Sequence, residues 1–131
     1  MSDVTEAVID RLVLRFDSLK PIFREHLADN FGEVLPHLFM GEVTRYLHEQ
    51  MIAAEQGNQE DSWTEVDDVL TVLEHEFSSG GSEVEELIAV SFLENLMADD
   101  KPGREISSRL GPVLRAELMK MRAWKPPQDQ K

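Results

Sequence analysis

Apolar residues recur at steps of three and four along almost the whole chain, and that spacing admits only one class of fold. Trp63, Val66, Leu70, Leu73 and Phe77 follow at steps of 3, 4, 3 and 4, which gathers them on one face of an α-helix. Val4, Val8, Ile9, Leu12, Val13, Phe16 and Leu19 do the same and predict a first helix over about Ser2 to Ser18. Pro21 suits the first turn of a second helix, closed by Asn30-Phe-Gly32, and Pro36 opens a third that runs to about Glu55. Ser62 with Glu65, and Ser82 with Glu85, have the spacing of capping boxes that open a fourth helix and a fifth, the latter continuing to about Ala98. Ser79-Gly-Gly81 lies between them, so the two helices form an antiparallel hairpin. Arg104 to Leu110 adds one or two turns, and Gly111-Pro112 starts a last helix that ends at Trp124. No period-two alternation bounded by turn residues occurs. The expectation is an all-α, single compact bundle of five to seven helices over residues 1–124, with a flexible tail at 125–131. Leu87, Ile88, Ala89, Val90, Phe92, Leu93, Leu96 and Met97 surround nearly the whole circumference of the fifth helix at α spacing, which makes 82–98 the central buried helix.

Charge supplies the second constraint. The 131 residues carry 13 Lys and Arg against 26 Asp and Glu, a net charge of −13. The imbalance is local: residues 1–100 carry −18 and 101–131 carry +5, and the 55 residues between Arg45 and Lys101 hold 15 acids and no Lys or Arg. Such a surface repels nucleic acid and anionic membranes and weakens the fold by self-repulsion. Three readings remain open for it: general solubility, neutralisation by the basic C-terminal segment, and a dedicated electropositive partner. With no Cys, disulfides, thiolate catalysis and Cys-ligated zinc are excluded. No apolar run approaches the ~18 residues that span a bilayer, and the N-terminus lacks the pattern of a signal peptide, so the protein is expected to be cytoplasmic.

The chain offers little to a chemist seeking catalysis. None of His26, His37, His48 and His75 has a Glu three residues before it, there is no His-x-x-x-His pair or calcium loop, and Gly80-Gly81 is not a phosphate loop. No catalytic, cofactor-binding or metal-ligating residues are assigned, and no cofactor is expected. Several polar residues have structural readings instead. Arg45 has the spacing to bridge Glu42 and Glu49 along one helix face, His37 reads as local capping or packing, and the Ser91, Glu94 and Asn95 strip reads as an internal hydrogen-bond network. Gly41 costs about 1 kcal/mol in a helix interior, a cost that close approach of another helix, the fifth, would explain.

Two stretches carry a likeness: Leu35-Pro-His-Leu-Phe-Met-Gly-Glu-Val-Thr-Arg-Tyr-Leu47 and Glu86-Leu-Ile-Ala-Val-Ser-Phe-Leu-Glu-Asn-Leu96. Over about residues 10 to 98 the chain resembles a bacterial family of small acidic helical proteins of unknown function, in which a Pro-His-Leu-Phe-x-Gly helix and an Ile-Ala-Val-Ser-Phe-x-Glu-Asn-Leu helix recur. Some members resemble immunity proteins of polymorphic toxin and contact-dependent inhibition systems. That resemblance implies a binding role without catalysis: stoichiometric inhibition of a cationic toxin domain, for example a nuclease. The basic C-terminal segment lies outside it. On this reading Glu60, Asp61, Trp63, Asp67, Asp68, Glu74, Glu76, Glu83, Glu85 and Glu86 form the partner-binding face. The carboxylates steer the basic protein, and Trp63 or Tyr46 supplies an apolar anchor. The alternative is a non-enzymatic regulatory or assembly module whose acidic hairpin docks on a basic segment or subunit.

Overall fold

The computed structural model describes residues 4–56, 60–97 and 101–123, with backbone alone at 60–62 and 97. Among these the chain forms α1 (Val4–Arg15), α2 (Leu19–Asp29), α3 (Pro36–Glu55), α4 (Glu60–Ser79), α5 (Gly81–Ile88), α6 (Lys101–Ser108) and α7 (Pro112–Ala123). A π-helical turn (Ala89–Leu93) and a 3₁₀ turn (Glu94–Met97) continue α5. No strand occurs among the described residues, so the fold is all-α. No described helix is long and apolar enough to cross a membrane. The expected tail at 125–131 lies outside the described residues, as do residues 57–59, Asp99 and Asp100.

One core holds the bundle. Val8, Ile9 and Leu12 of α1, Phe39, Val43, Leu47 and Met51 of α3, and Val66, Leu70 and Leu73 of α4 meet in it. α3 packs against α1, α2, α4, α5, α6 and the π turn, and residues 81–97 touch α1, α3, α4, α6 and α7. The 81–97 segment is therefore central, as its apolar content predicts, but it is not buried on every side. Leu87 and Phe92, and Ile88 and Leu93, are fully buried pairs five residues apart, the hydrogen-bond step of a π turn. The wider turn brings both pairs to the core and leaves Glu85, Glu86, Val90, Glu94 and Asn95 facing solvent. Read at α spacing, the same residues encircle the helix.

The corners also depart from the sequence reading. α4 begins two residues before Ser62, and α5 begins after Gly80 with no side-chain cap, so neither capping box forms. Gly81 takes φ +84, and a Cβ on Gly80 would lie 2.6 Å from the Glu76 carbonyl oxygen and from Val84 Cβ; the hairpin corner therefore demands both glycines. Between α2 and α3, Phe31 (φ 57) and Gly32 (φ 80) are left-handed. That loop is pinned at both ends: Asn30 Nδ2 donates to the His26 carbonyl at 2.8 Å, Gly32 N–H to the Leu27 carbonyl at 2.7 Å, and Leu35 N–H to His26 Nε2 at 3.0 Å. His26 is buried, edge-on to Phe39 at 5.4 Å. Its accepting Nε2 leaves the ring proton on Nδ1, which faces Glu42 at 3.4 Å.

Phe92 is fully buried at the widened turn. Phe92→Ala is expected to lower the unfolding free energy by about 3–5 kcal/mol, read from the urea midpoint at an unchanged m-value.

Candidate functional site

The acids of α4 do not form a free surface. Glu76 is buried, and Arg11 of α1 grips it with Nε on Oε2 and Nη2 on Oε1, both at 2.7 Å. Asp67 takes a two-pronged contact from Arg109 Nη1 at 2.8 and 2.9 Å, and the same guanidinium lies 4.0 Å over the Trp63 ring. Glu74 accepts the Val113 and Leu114 N–H groups at 2.7 and 3.0 Å, so a carboxylate some 40 residues away in sequence caps the start of α7. Gly111 makes this reach possible, since a Cβ there would lie 2.7 Å from the Glu74 carboxyl carbon. The basic C-terminal segment is thus docked on α4 within the chain. Trp63 has one face under Arg109, and Tyr46 donates its hydroxyl to Glu65 at 2.6 Å, while Ser18 donates to the other Glu65 oxygen.

Of the sequence-derived partner face, Asp68, Glu83, Glu85 and Glu86 are exposed and Asp67 is half-exposed; Glu74 and Glu76 are committed to internal partners. Glu60 and Asp61 fall in the first turn of α4, with side chains outside the described residues.

A second locus lies where α3 meets the π turn, joining the two stretches that carry the family likeness. His37 Nδ1 and Ser91 Oγ share a hydrogen bond of 2.7 Å. Asn95 Nδ2 donates to the Ser91 carbonyl at 2.8 Å, and Thr44 Oγ1 donates to the Met40 carbonyl at 2.9 Å with the Ser91 carbonyl at 3.4 Å. Ser91 and Asn95 thus belong to an internal network, Glu94 stays exposed, and His37 ties α3 to the π turn in place of capping its own helix. Beside this network a cleft of about 370 Å³ is lined by His37, Leu38, Gly41, Thr44, Arg45, His48 and Asn95.

Two sequence readings are corrected there. A Cβ on Gly41 would meet nothing within 4 Å, so no helix approaches it and the glycine fronts open space. Arg45 makes no ion pair with Glu42 or Glu49 among the described residues. His48 carries a solvent-sealed Nε2 with no hydrogen-bond partner among the described residues. Among the described residues no three His, Asp or Glu side chains cluster as a metal site requires.

The family described as Domain of unknown function (DUF7674) matches residues 9–125. The chain belongs to that family. The match runs through α6 and α7, including the basic segment that the likeness seen in the sequence left outside. No curated protein and no solved structure matches the chain.

Periodicity gives no sign of the most conspicuous exposed group. Phe31 is fully exposed, at 102% of its reference surface, in a left-handed conformation that costs an L-residue about 1–2 kcal/mol. Leu35 (37%), Leu38 (49%) and Val90 (44%) are also exposed. Leu38 and Val90 directly adjoin the hydrogen-bonded pair His37 and Ser91 in sequence. The only advance signal for Phe31 is the placement of a bulky apolar residue inside the Asn30-Phe-Gly32 stop.

The ion pair and the tyrosine each yield a measurable outcome. Arg11 is half-exposed while the Glu76 carboxylate is 7% exposed, so losing the arginine strands a buried charge whereas losing the acid strands a solvated one. Arg11→Met is expected to cost about 1–2 kcal/mol and Glu76→Leu less, with urea unfolding as the measurement. Burial and then the hydrogen bond to Glu65 push the Tyr46 hydroxyl up to about 12. The neutral phenol is the form the fold favours, so its contribution to stability is complete below the ordinary tyrosine value of about 10 and is lost as pH rises through about 12. Tyrosinate absorbance of this single tyrosine is expected to rise near that upper value, and Glu65→Ala is expected to bring the midpoint down.

Proposed function

We propose that the protein is a non-enzymatic binding module that docks one cationic protein on the face formed by the α2–α3 loop, the start of α3 and the π turn. The partner on this reading is a toxin domain, and the mechanism is stoichiometric occlusion of its substrate surface. Phe31 is the observation that carries the reading. A fully exposed phenylalanine, held in a left-handed conformation by a loop hydrogen-bonded at both ends, pays its cost outside the fold's own core, and strain of this kind collects at sites of function. An aromatic anchor with apolar neighbours and a polar rim is the anatomy of a hot spot.

The rim supports the sign of the partner. Asp29 and Glu33 flank Phe31, and Glu86 and Glu94 lie four residues either side of Val90, all exposed. Glu83 and Glu85 extend the negative surface along α5. The α4 carboxylates Asp67, Glu74 and Glu76 contribute to the fold, which moves the docking face from the α4–α5 hairpin to the exposed side of α5 and the α2–α3 loop. Acids arranged in this way steer a basic protein and speed association at low salt.

The test is toxin rescue by co-expression with a basic domain encoded beside this chain's own gene. Wild type is expected to restore growth, with an association rate that falls steeply as salt is added. Phe31→Gly is expected to weaken the complex by about 2 kcal/mol, roughly thirtyfold in Kd, while melting no lower than wild type because the left-handed backbone suits glycine. Rescue untouched by Phe31→Gly combined with Glu33→Lys and Glu86→Lys removes this face from the interface.

A further inference from the structure

The cleft beside the His37–Ser91 contact has properties that packing does not account for, and we propose that it is a binding site for a small organic monocarboxylate. Its volume of about 370 Å³ lies at the lower end of small-ligand sites, about 300–1,000 Å³. In a chain of net charge −13, none of its lining residues is an acid, and it offers Arg45, His37, His48 and Asn95 as polar groups, the Thr44 hydroxyl being already donated to the Met40 carbonyl. The Arg45 guanidinium has no ion pair or hydrogen bond among the described residues, and its planar fork matches a carboxylate. Glu42 and Glu49, one turn either side, line the neighbouring cleft together with Arg45. Glu25 and Asp29 line that cleft as well; the field of these acids opposes any anion, in proportion to its charge, so a single negative charge is the most that one arginine can match.

Gly41 and His48 point the same way. A glycine in a helix interior is unfavourable relative to alanine, and at Gly41 the missing Cβ relieves no clash. What it leaves is room in the cleft. His48, on the same lining, has a solvent-sealed Nε2 with no hydrogen-bond partner among the described residues, and buried polar atoms of this kind ask for a partner. Leu38, half-exposed on the cleft wall, takes the ligand's carbon skeleton. This site borders the proposed docking face and shares Leu38 with it, but its test uses small molecules and needs no protein partner.

An amide-resolved NMR titration of the full chain with monocarboxylates from butyrate to benzoate, with butyramide and inorganic phosphate as controls, decides the matter. Saturable shifts at Gly41, Arg45 and Asn95 with the carboxylates, and none with butyramide, are the expected result. Arg45→Gln is expected to weaken binding about tenfold. Gly41→Leu is expected to abolish it while melting no lower than wild type, since a glycine leaves the helix interior. Absence of saturable shifts with every carboxylate, an equal response to butyramide or phosphate, or full binding by Gly41→Leu overturns the assignment.

Discussion

Mutual repulsion among carboxylates is the constraint under which this bundle is built, and the answer to it comes from outside the acidic stretch. Along α4, Asp67, Glu74 and Glu76 meet Arg109, the amides that open α7, and Arg11. Each contact joins α4 to a different element: α7 through Glu74, α1 through Glu76, and the end of α6 through Asp67. An ion pair at a half-exposed site is worth little by itself. These contacts matter because they place α1 and the α6–α7 segment around α4, where Leu70, Leu73, Leu114 and Leu118 are buried. Electrostatics sets the arrangement, and apolar burial supplies most of the free energy.

The helices were legible from the chain because their apolar steps of three and four are a direct image of helical geometry. The hairpin of α4 and α5 was legible too, from Gly80 and Gly81. The π turn was not, because Leu87 to Leu93 is apolar almost throughout and a continuous run carries no period. The roles of Glu74 and Glu76 were hidden for a different reason: a carboxylate beside an apolar seam reads as a surface charge until its partner, 40 or 65 residues away, is brought to it. Arg45 shows the converse, since i−3 and i+4 acids at ideal spacing make no ion pair with it. Phe31 lay inside a stop signal, where attention goes to the glycine.

Two surfaces of opposite character therefore sit side by side at the start of α3. One is the proposed docking face, with the exposed apolar groups Phe31, Leu35, Leu38 and Val90. The other is the cleft of Gly41, Arg45 and His48, free of acids along its lining. His37 on the cleft lining is bonded to the buried Ser91 at 2.7 Å, and the π turn presents Ser91 to α3 while keeping Phe92 and Leu93 in the core.

The cap that Glu74 provides for α7 also bears on the order in which the chain assembles. A ribosome releases residues 1–100, carrying −18, before residues 101–131, which carry the compensating +5. Until Val113 and Leu114 leave the exit tunnel, Glu74 has no amides to accept and α4 lacks the C-terminal half of its neutralisation. Synthesis of α7 and closure of the bundle around α4 are thus coupled events, because the carboxylate on one supplies the cap of the other.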